Sequence, residues 1–296
     1  MSARRLELTV TPDQAGQKVD ALLRRAFGLS GTVIRRVKWL EDGILLDGAR
    51  VHTDRVVEAG QVLSVRVGDG GAGRTAPVPG PLDVVYEDED LLVLNKAPGV
   101  LVHPGHGHYA DTLGNFVAAY YEKQGIQADF HPVHRLDKGT SGLLVVAKHP
   151  HAQEGLKNQL HTPRFRRIYL AVCDGAPEPA AGTVDAPIGR VPGSLTARRV
   201  DPEGLPARTD YETLEAARGR ALLRLELKTG RTHQIRVHMA WLGHPLTGDF
   251  LYGVEDKALI GRPALHSHAL ELDHPVTGAR LAFTVPLPED MARLLR

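Results

Sequence analysis

The chain has 296 residues, of which 42% are hydrophobic and 24% are charged, and its formal net charge is +1. These proportions are those of an ordinary globular protein and exclude an intrinsically disordered chain. The single cysteine, Cys173, excludes both an internal disulfide and a cysteine-based zinc site.

The apolar segments and the clusters of charged residues indicate whether the chain could bind a membrane or a nucleic acid. No stretch reaches the roughly 20 apolar residues that a membrane span needs, and residues 1–20 lack the apolar core of a signal peptide. We therefore expect a cytoplasmic protein without a membrane partner. Basic residues gather at 24–27, 34–39 and 163–169 and acidic residues at 86–90. This distribution keeps nucleic acid open as a partner, although each cluster alone is more typical of a solvated surface.

Residues 1–67 are predicted to form a small α/β module. The segments "VDALLRRAFG" (19–28) and "TVIRRVKWLEDG" (32–43) carry apolar residues at helical spacing and end at glycine. Two short strands around an Asp-Gly turn follow in "ILLDGARV" (44–51), and another strand in "VLSVRV" (62–67). Arg35, Arg36 and Lys38 lie on the polar side of the second helix, which would form a face that contacts phosphates.

A segment rich in glycine, proline and alanine, 68–81, is predicted to be a flexible linker. Beyond it, residues 82–296 are predicted to form a second domain of α+β class. Strand patterns outnumber helical patterns there and do not alternate with them regularly, so we expect a central, largely antiparallel mixed sheet. The strand patterns are "LDVVYED", "LLVLNKAPG", "GLLVVAK", "RIYLAVCDG", "ALLRLELKTG" and "LAFTVPL", and the helical patterns are "TLGNFVAAYYEKQG", "AQEGLKNQL" and "THQIRVHMAWLG".

One acidic residue, Asp137, lies between Arg135 and Lys138 at the start of the apolar strand "GLLVVAK". A rigid strand can hold such a side chain in a cleft, and a nearby cation can keep a partly buried carboxylate ionised. The alternative is a turn aspartate that accepts backbone N–H groups from the following Gly-Thr-Ser loop.

A second cluster places planar nitrogen donors at a turn that leads into a helix. Arg231, His233, Gln234, Arg236 and His238 occur within eight positions, a pattern suited to binding an anion or the edge of a heterocycle. A surface network of ion pairs is the alternative.

In combination, these segments resemble the RluA-type pseudouridine synthases, in particular RluD-like members with an N-terminal S4 RNA-binding domain. The S4 resemblance covers about 16–67 and departs at 30–32, Ser-Gly-Thr, where S4 domains often have Ser-Arg. The catalytic resemblance covers nearly all of 82–296, through "YEDEDLLVLNKAPGVLVHPG" (86–105), "VHRLDKGTSGLLVVAK" (133–148), "RRIYLAVCDG" (166–175), "TGRTHQIRVHMAWLGHPLTGDFLYG" (229–253) and "RPALHSHALELDHPVTGARLAFTVPLPED" (262–290).

The resemblance implies roles for individual residues. Asp137 would be the catalytic aspartate, Tyr169 would pack on the base, and Arg236 would pair with the aspartate. Arg135 would enter the RNA stack in place of the expelled uridine. Lys138 receives no role from the resemblance, and a contact with phosphate is left open for it. Further contacts with the substrate are expected from His134, Leu136, Arg231 and His233.

The implied reaction breaks the N1–C1′ bond of uridine and joins C5 to C1′, with loss of only the C5 proton, so no metal or redox cofactor is expected. The carboxylate could attack C1′, attack C6, or remove the ribose 2′ proton to give a glycal, and the sequence leaves all three open. The base must be flipped out of the stack first. We expect a monomer that acts on large-subunit ribosomal RNA, with tRNA as the alternative.

Three other functions compete with this one. The histidines 103, 106 and 108 could bind a metal, although no carboxylate–histidine set of recognised spacing accompanies them. A glycoside hydrolase also uses a carboxylate at an anomeric carbon but needs two acids, and Asp137 has no acidic neighbour in its motif. The third alternative is a non-catalytic RNA-binding or ribosome-assembly factor, which would use the S4-like module and have an inactive catalytic site.

Overall fold

The computed structural model describes residues 4–69, 75–105 and 107–296. The central residues of the predicted linker, 70–74, and the predicted metal candidate His106 lie outside the described residues. Within the part of the chain that is described, no helix combines the length and the apolarity needed to cross a lipid bilayer.

Residues 5–66 form a four-stranded antiparallel sheet with two short helices packed on it. The strand order is β1-β4-β2-β3. The elements are β1 (Arg5–Thr9), α1 (Val19–Arg25), α2 (Gly31–Val37), β2 (Ile44–Leu46), β3 (Ala49–Arg50) and β4 (Val62–Arg66). The expected helix, helix, sheet order was incomplete because β1 precedes the helices. Its sequence does alternate, since Leu6 and Leu8 lie between Arg5, Glu7 and Thr9, so the signal for this strand was present and was missed.

Apolar residues on one face of each helix fill the core of this first sheet. Leu22 and Leu23 of α1 and Val33 and Ile34 of α2 pack on strand residues such as Leu63. Ser30 begins α2 by accepting a hydrogen bond from the Val33 amide at 3.3 Å.

A ten-stranded sheet organises the rest of the chain, in the order β10-β13-β14-β9-β15-β8-β6-β5, with β16 paired to β15 and β7 paired to β8. The strands are β5 (Val84–Glu87), β6 (Leu91–Lys96), β7 (His131–Pro132), β8 (Ser141–Ala147), β9 (Arg166–Asp174), β10 (Ala181–Asp185), β13 (Arg208–Ala217), β14 (Arg220–Leu227), β15 (Leu265–Asp273) and β16 (Arg280–Thr284). The strands β11 (Ile188–Arg190) and β12 (Arg198–Val200) form a separate pair. The sheet is mixed, as predicted, since β8 and β15 pair in parallel while the other named pairs are antiparallel.

The prediction missed β15, although this strand lies at the centre of the sheet between β9 and β8. Its first half contains His266, Ser267 and His268, which interrupt the apolar pattern, yet His266 and Ser267 are fully buried. The histidine is held by the Ser141 hydroxyl, 2.9 Å from Nδ1, and the serine hydroxyl donates to the Leu143 carbonyl at 3.0 Å. Paired polar groups therefore replace apolar side chains here.

Four further helices cover the sheet and its end: α3 (Leu113–Gln124), α4 (Pro150–Gln159), α5 (Gln234–Trp241) and α6 (Glu289–Ala292), with a final 3-10 turn at Arg293–Leu295. Strand β8 has a core on both faces, because Leu144 and Val146 belong to one apolar cluster while Leu143 and Val145 belong to another. Its continuous apolar run follows from this double burial.

Polar contacts join the first sheet to the large one. Arg4 donates to Asp90 at 2.9 Å, and the Ser30 hydroxyl donates to Glu154 at 2.6 Å. Asp69 forms a bridge, since one carboxylate oxygen lies 3.4 Å from Arg36 on α2 and the other lies 2.6 Å from His131 on β7.

Candidate active site

Asp137 lies in the loop 133–140 that connects β7 to β8, and this loop is anchored along its length. The Val133 amide donates to the Val145 carbonyl at 3.0 Å, the Thr140 amide donates to the main-chain carbonyl of Asp137 at 3.1 Å, and Leu136 is buried in the core. The Asp137 side chain remains 19% exposed. A rigid loop thus presents one carboxylate at the protein surface.

Two basic side chains close to this carboxylate come from α5 and its N-cap. Arg236 Nη1 lies 3.6 Å from Asp137 Oδ2, and His233 Nε2 lies 4.0 Å from Asp137 Oδ1. Among the described residues, no backbone amide donates to the Asp137 side chain. The two clusters singled out in the sequence therefore meet, and the geometry differs from that of an ordinary turn aspartate.

Arg236 is buried and is held by a second carboxylate. Its Nε and Nη2 donate to the two oxygens of Asp249, each at 2.7 Å, and Asp249 is fully buried. The guanidinium also lies 5.0 Å from the centre of the Tyr252 ring. Burial alone would lower the pKa of Arg236, but the hydrogen bonds and charge of Asp249 outweigh it and raise that pKa. Only Nη1 is left to face Asp137.

Tyr252 contacts both His233 and the backbone. Its hydroxyl accepts a hydrogen bond from the Arg198 amide at 2.9 Å and lies 2.8 Å from His233 Nδ1. When this hydroxyl donates to Nδ1, a neutral His233 carries its proton on Nε2, the atom that faces Asp137. Burial lowers the pKa of His233 and favours this neutral form.

Asp137 stands where two cavities meet. The smaller one, about 250 Å³, is lined by Tyr169 of β9 together with the substrate-contact candidates His134, Leu136, Arg231 and His233. Tyr169 is 4% exposed, and burial raises the pKa of its hydroxyl. The larger cavity, about 690 Å³, is lined by Arg236, Lys138, Phe250 and Arg262.

Arg135 lines both cavities and is exposed at their shared rim. Among the described residues it has no hydrogen-bond or ion-pair partner, so its guanidinium is available to a ligand. Lys138 is also exposed, and its Nζ lies 3.5 Å from His108 Nε2. Arg231 is more restrained, because its Nε donates to the Pro206 carbonyl at 2.9 Å.

Comparison with known proteins identifies the family of the chain. Residues 90–241 match the family model described as RNA pseudouridylate synthase. The chain belongs to this family. The synthase is 39% identical over 311 residues to ribosomal large subunit pseudouridine synthase D of Escherichia coli strain K12, an alignment that covers 99% of this chain and 94% of the relative. It is 40% identical over 270 residues to a protein of Bacillus subtilis strain 168 described as uncharacterized RNA pseudouridine synthase YjbO, and the alignment covers 91% of this chain and 95% of the relative.

Solved structures include a similar fold. Human RNA pseudouridylate synthase domain containing 4 superposes with a TM-score of 0.58 at 26% identity, over 72% of the synthase and 91% of the human chain.

Two residues around the aspartate were missed by the sequence reasoning. Asp249 and Tyr252 lie in "TGDFLYG" (247–253), which was part of the resemblance but received no role. An acid followed three positions later by a tyrosine, in a turn rich in glycine, was the available signal. Their partners, Arg236 and His233, lie in the same segment, 229–253, but the letters do not show which side chains pair; the fold shows that Asp249 holds Arg236 and that Tyr252 contacts His233.

The predicted RNA-contacting residues lie away from the cleft of the synthase, on α2 and at its C-terminal cap, and none lines either cavity. Arg35 is exposed, with a contact of 3.2 Å to Thr32 Oγ1. Arg36 donates to the Val67 carbonyl as well as approaching Asp69. Lys38 lies 4.8 Å from the ring centre of Trp39, which is 67% exposed.

The described residues contain one group of three side chains with metal-ligand spacing, Asp88, Asp90 and His274. His274 Nδ1 accepts from the Val276 and Thr277 amides, so its proton lies on Nε2 and points at Asp88, 3.0 Å away. This histidine donates to a carboxylate instead of offering a lone pair to an ion. His103 contacts Phe130 edge-on, and His108 pairs with Asp111 at 2.6 Å.

Proposed function

We propose that this pseudouridine synthase isomerises uridines of large-subunit ribosomal RNA, with Asp137 as the reacting carboxylate. The observation that carries the proposal is the position of Asp137 at the junction of two cavities, beside Arg236 and His233. Arg236 Nη1 places a cation 3.6 Å from one oxygen of this carboxylate. His233 Nε2, 4.0 Å from the other oxygen, would bias the orientation of the same group.

The smaller cavity and its rim would have different roles in the reaction. The target base leaves the RNA stack and enters the smaller cavity against Tyr169, while the planar Arg135 at the rim takes the vacated place in the stack. With the base held there, the N1–C1′ bond breaks and the C5–C1′ bond forms, and the C5 proton leaves. Attack at C1′, attack at C6 and removal of the 2′ proton all use the same ionised Asp137.

The proposed RNA target rests on the relatives and on the first sheet. Relatives that align over nearly the whole chain are named for the large ribosomal subunit. We assign residues 1–67 to an S4-like RNA-binding domain in which Arg35, Arg36 and Lys38 contact phosphates, 68–81 to a linker, and 82–296 to the catalytic domain. The enzyme would act in the cytoplasm, as a monomer.

Tritium release from RNA transcribed with 5-tritiated uridine tests both the reaction and its target. Large-subunit ribosomal RNA and bulk tRNA are compared as substrates. We expect release from ribosomal RNA, whereas release from tRNA alone would overturn the assigned target.

The Asp137→Asn variant tests the carboxylate. It should fold normally, because the side chain accepts no backbone hydrogen bond, and it should release no tritium above background. Asp185→Asn is the matched control, because Asp185 is exposed on the same sheet and lines neither cavity. More than trace activity in Asp137→Asn would remove Asp137 from the mechanism.

A further inference from the structure

Two residues that line the smaller cavity each carry a buried N–H group without an acceptor. Arg167 on β9 and His134 in the Asp137 loop both line it. Arg167 Nε and His134 Nδ1 are inaccessible to solvent and lack a hydrogen-bond partner among the described residues. Buried polar atoms of native proteins are nearly always paired. Two unpaired donors on residues of one cavity wall therefore suit a ligand that supplies acceptors, once these side chains turn toward it.

The tautomer of neutral His134 makes its Nδ1 a hydrogen-bond donor. The Val145 amide donates to His134 Nε2 at 3.4 Å, so the proton of the neutral ring lies on Nδ1. The ring is fixed edge-on against Phe165, with centres 5.8 Å apart. Burial lowers the pKa of His134 to about 3, which keeps the ring neutral at pH 7 with one N–H available.

Arg167 is a buried cation without an acidic partner. It is 4% exposed, and its Nη2 donates to the main-chain carbonyls of Thr229 at 3.1 Å and Leu160 at 3.5 Å. No carboxylate of a described residue lies within ion-pair distance of it. A Cβ on Gly230 would lie 2.8 Å from Arg167 Nη1, so this glycine admits the guanidinium. The fold thus holds a positive charge and an unpaired N–H group of Arg167 beside the smaller cavity. A carbonyl oxygen of a ligand would be the complementary acceptor.

We propose that Arg167 and His134 recognise the carbonyl edge of the target uracil and reject cytosine at that site. Uracil carries oxygen acceptors at C2 and C4, whereas cytosine carries an amino donor at C4 that would face further donors. Sites built on buried hydrogen bonds discriminate strongly against the base that leaves them unpaired. The inference rests on the proposed entry of the base into this cavity, beside Tyr169.

The test replaces single oxygens of the target base. The RNA segment that the wild type modifies is synthesised with uridine, 2-thiouridine or 4-thiouridine at the target, since sulfur is the weaker acceptor, and product is followed by nucleoside chromatography. We expect Arg167→Met to lose about tenfold or more in kcat/KM on uridine. Arg167→Lys, which keeps a charged donor, should recover part of this loss.

The decisive comparison is between variant and analogue. The wild type should lose activity on one thio-substituted RNA, and Arg167→Met should lose nothing further on that RNA. Arg220→Met is the control, because Arg220 also has an orphaned buried Nε on the large sheet but lines neither cavity. Equal thio penalties in the wild type and in Arg167→Met, for both analogues, would overturn the proposal.

A second readout needs no turnover. In protein labelled with 15N-histidine, the Nδ1–H signal of His134 is followed during titration with uridine 5′-monophosphate and cytidine 5′-monophosphate. We expect a shift with the uridine nucleotide only, and equal shifts or no shift would contradict the inference. If the wild type modifies neither ribosomal RNA nor tRNA, the proposed substrate fails while this titration still decides the role of His134.

Discussion

At the scale of single residues, the candidate site depends on how Arg236 divides its donors. Two of its nitrogen atoms are taken by Asp249, and the third faces Asp137 at 3.6 Å. Asp249 therefore fixes the direction in which Arg236 presents its remaining N–H. Sequence reasoning found Arg236 but not Asp249, because a buried acid in a glycine-rich turn has the same local pattern as a surface turn residue.

We predict that Asp249→Asn destabilises the protein and reduces activity. Removing one partner of a buried ion pair leaves an uncompensated charge, which costs about 3–5 kcal/mol. A freed Arg236 would also move toward Asp137, so kcat should fall even at temperatures where the variant is folded. Urea unfolding and tritium release measure the two effects.

Glu271→Gln provides the comparison for stability. Glu271 pairs with Arg280 and with Arg166, and all three side chains are partly exposed, at 28%, 43% and 35%. Each such pair contributes about 1 kcal/mol or less. Equal stability losses in the two variants would show that the Arg236–Asp249 pair has no special role.

At the scale of elements, the parallel pair β8–β15 supports the loop that carries Asp137. The backbones approach closely at Gly142, which has a φ of 106°. A Cβ there would lie 2.3 Å from the Ser267 carbonyl oxygen and 2.7 Å from its amide nitrogen. No side chain fits at this distance, so the glycine in "TSGLLVV" is required by the neighbouring strand.

Gly142→Ala should therefore separate β8 from β15 at their point of pairing. We expect a loss of about 2–4 kcal/mol in the free energy of unfolding, from steric overlap and a strained φ. Gly278→Ala is the matched control, since Gly278 also has a positive φ of 73° but no neighbouring atom within 4 Å of a Cβ. Similar losses in both variants would assign the effect to backbone conformation alone.

The sequence predicted the strands with strong apolar patterns, including β6, β8, β9 and β14, and the helices α3, α4 and α5. It could not predict β15, whose buried histidine and serine are stabilised by partners 124–125 residues away. It also missed β10 and β13. Their burial is discontinuous, since β10 has one fully buried residue, Val184, so apolar alternation gave no signal.

At the scale of the whole molecule, buried histidines link stability to pH. Burial lowers the pKa of His134 to about 3 and those of His151 and His266 to about 4. The unfolded chain binds these protons near pH 6.5, whereas the folded chain binds them only near pH 3–4. Between these limits the unfolded state holds more protons, so stability falls as the pH falls.

We expect the free energy of unfolding to drop between pH 6.5 and pH 4 by about 1.4 kcal/mol per pH unit for each such histidine. Urea unfolding at pH 7, 6 and 5 measures the slope. The variant His151→Phe should reduce the slope by the contribution of one proton. A slope that is unchanged in this variant would show that His151 is protonated equally in both states.

The bridge formed by Asp69 has a consequence for how the two ends of the molecule communicate. Arg36, Asp69 and His131 join α2 to the strand β7, immediately before the loop that holds Asp137. If an RNA phosphate binds Arg36, it must displace Asp69 from this arginine. Asp69 would then be held by His131 alone. Because coupling between two sites is reciprocal, a substrate that shifts this loop would change the affinity of α2 for phosphate by the same factor. The Asp69 carboxylate would then couple RNA binding at α2 to substrate binding in the cleft.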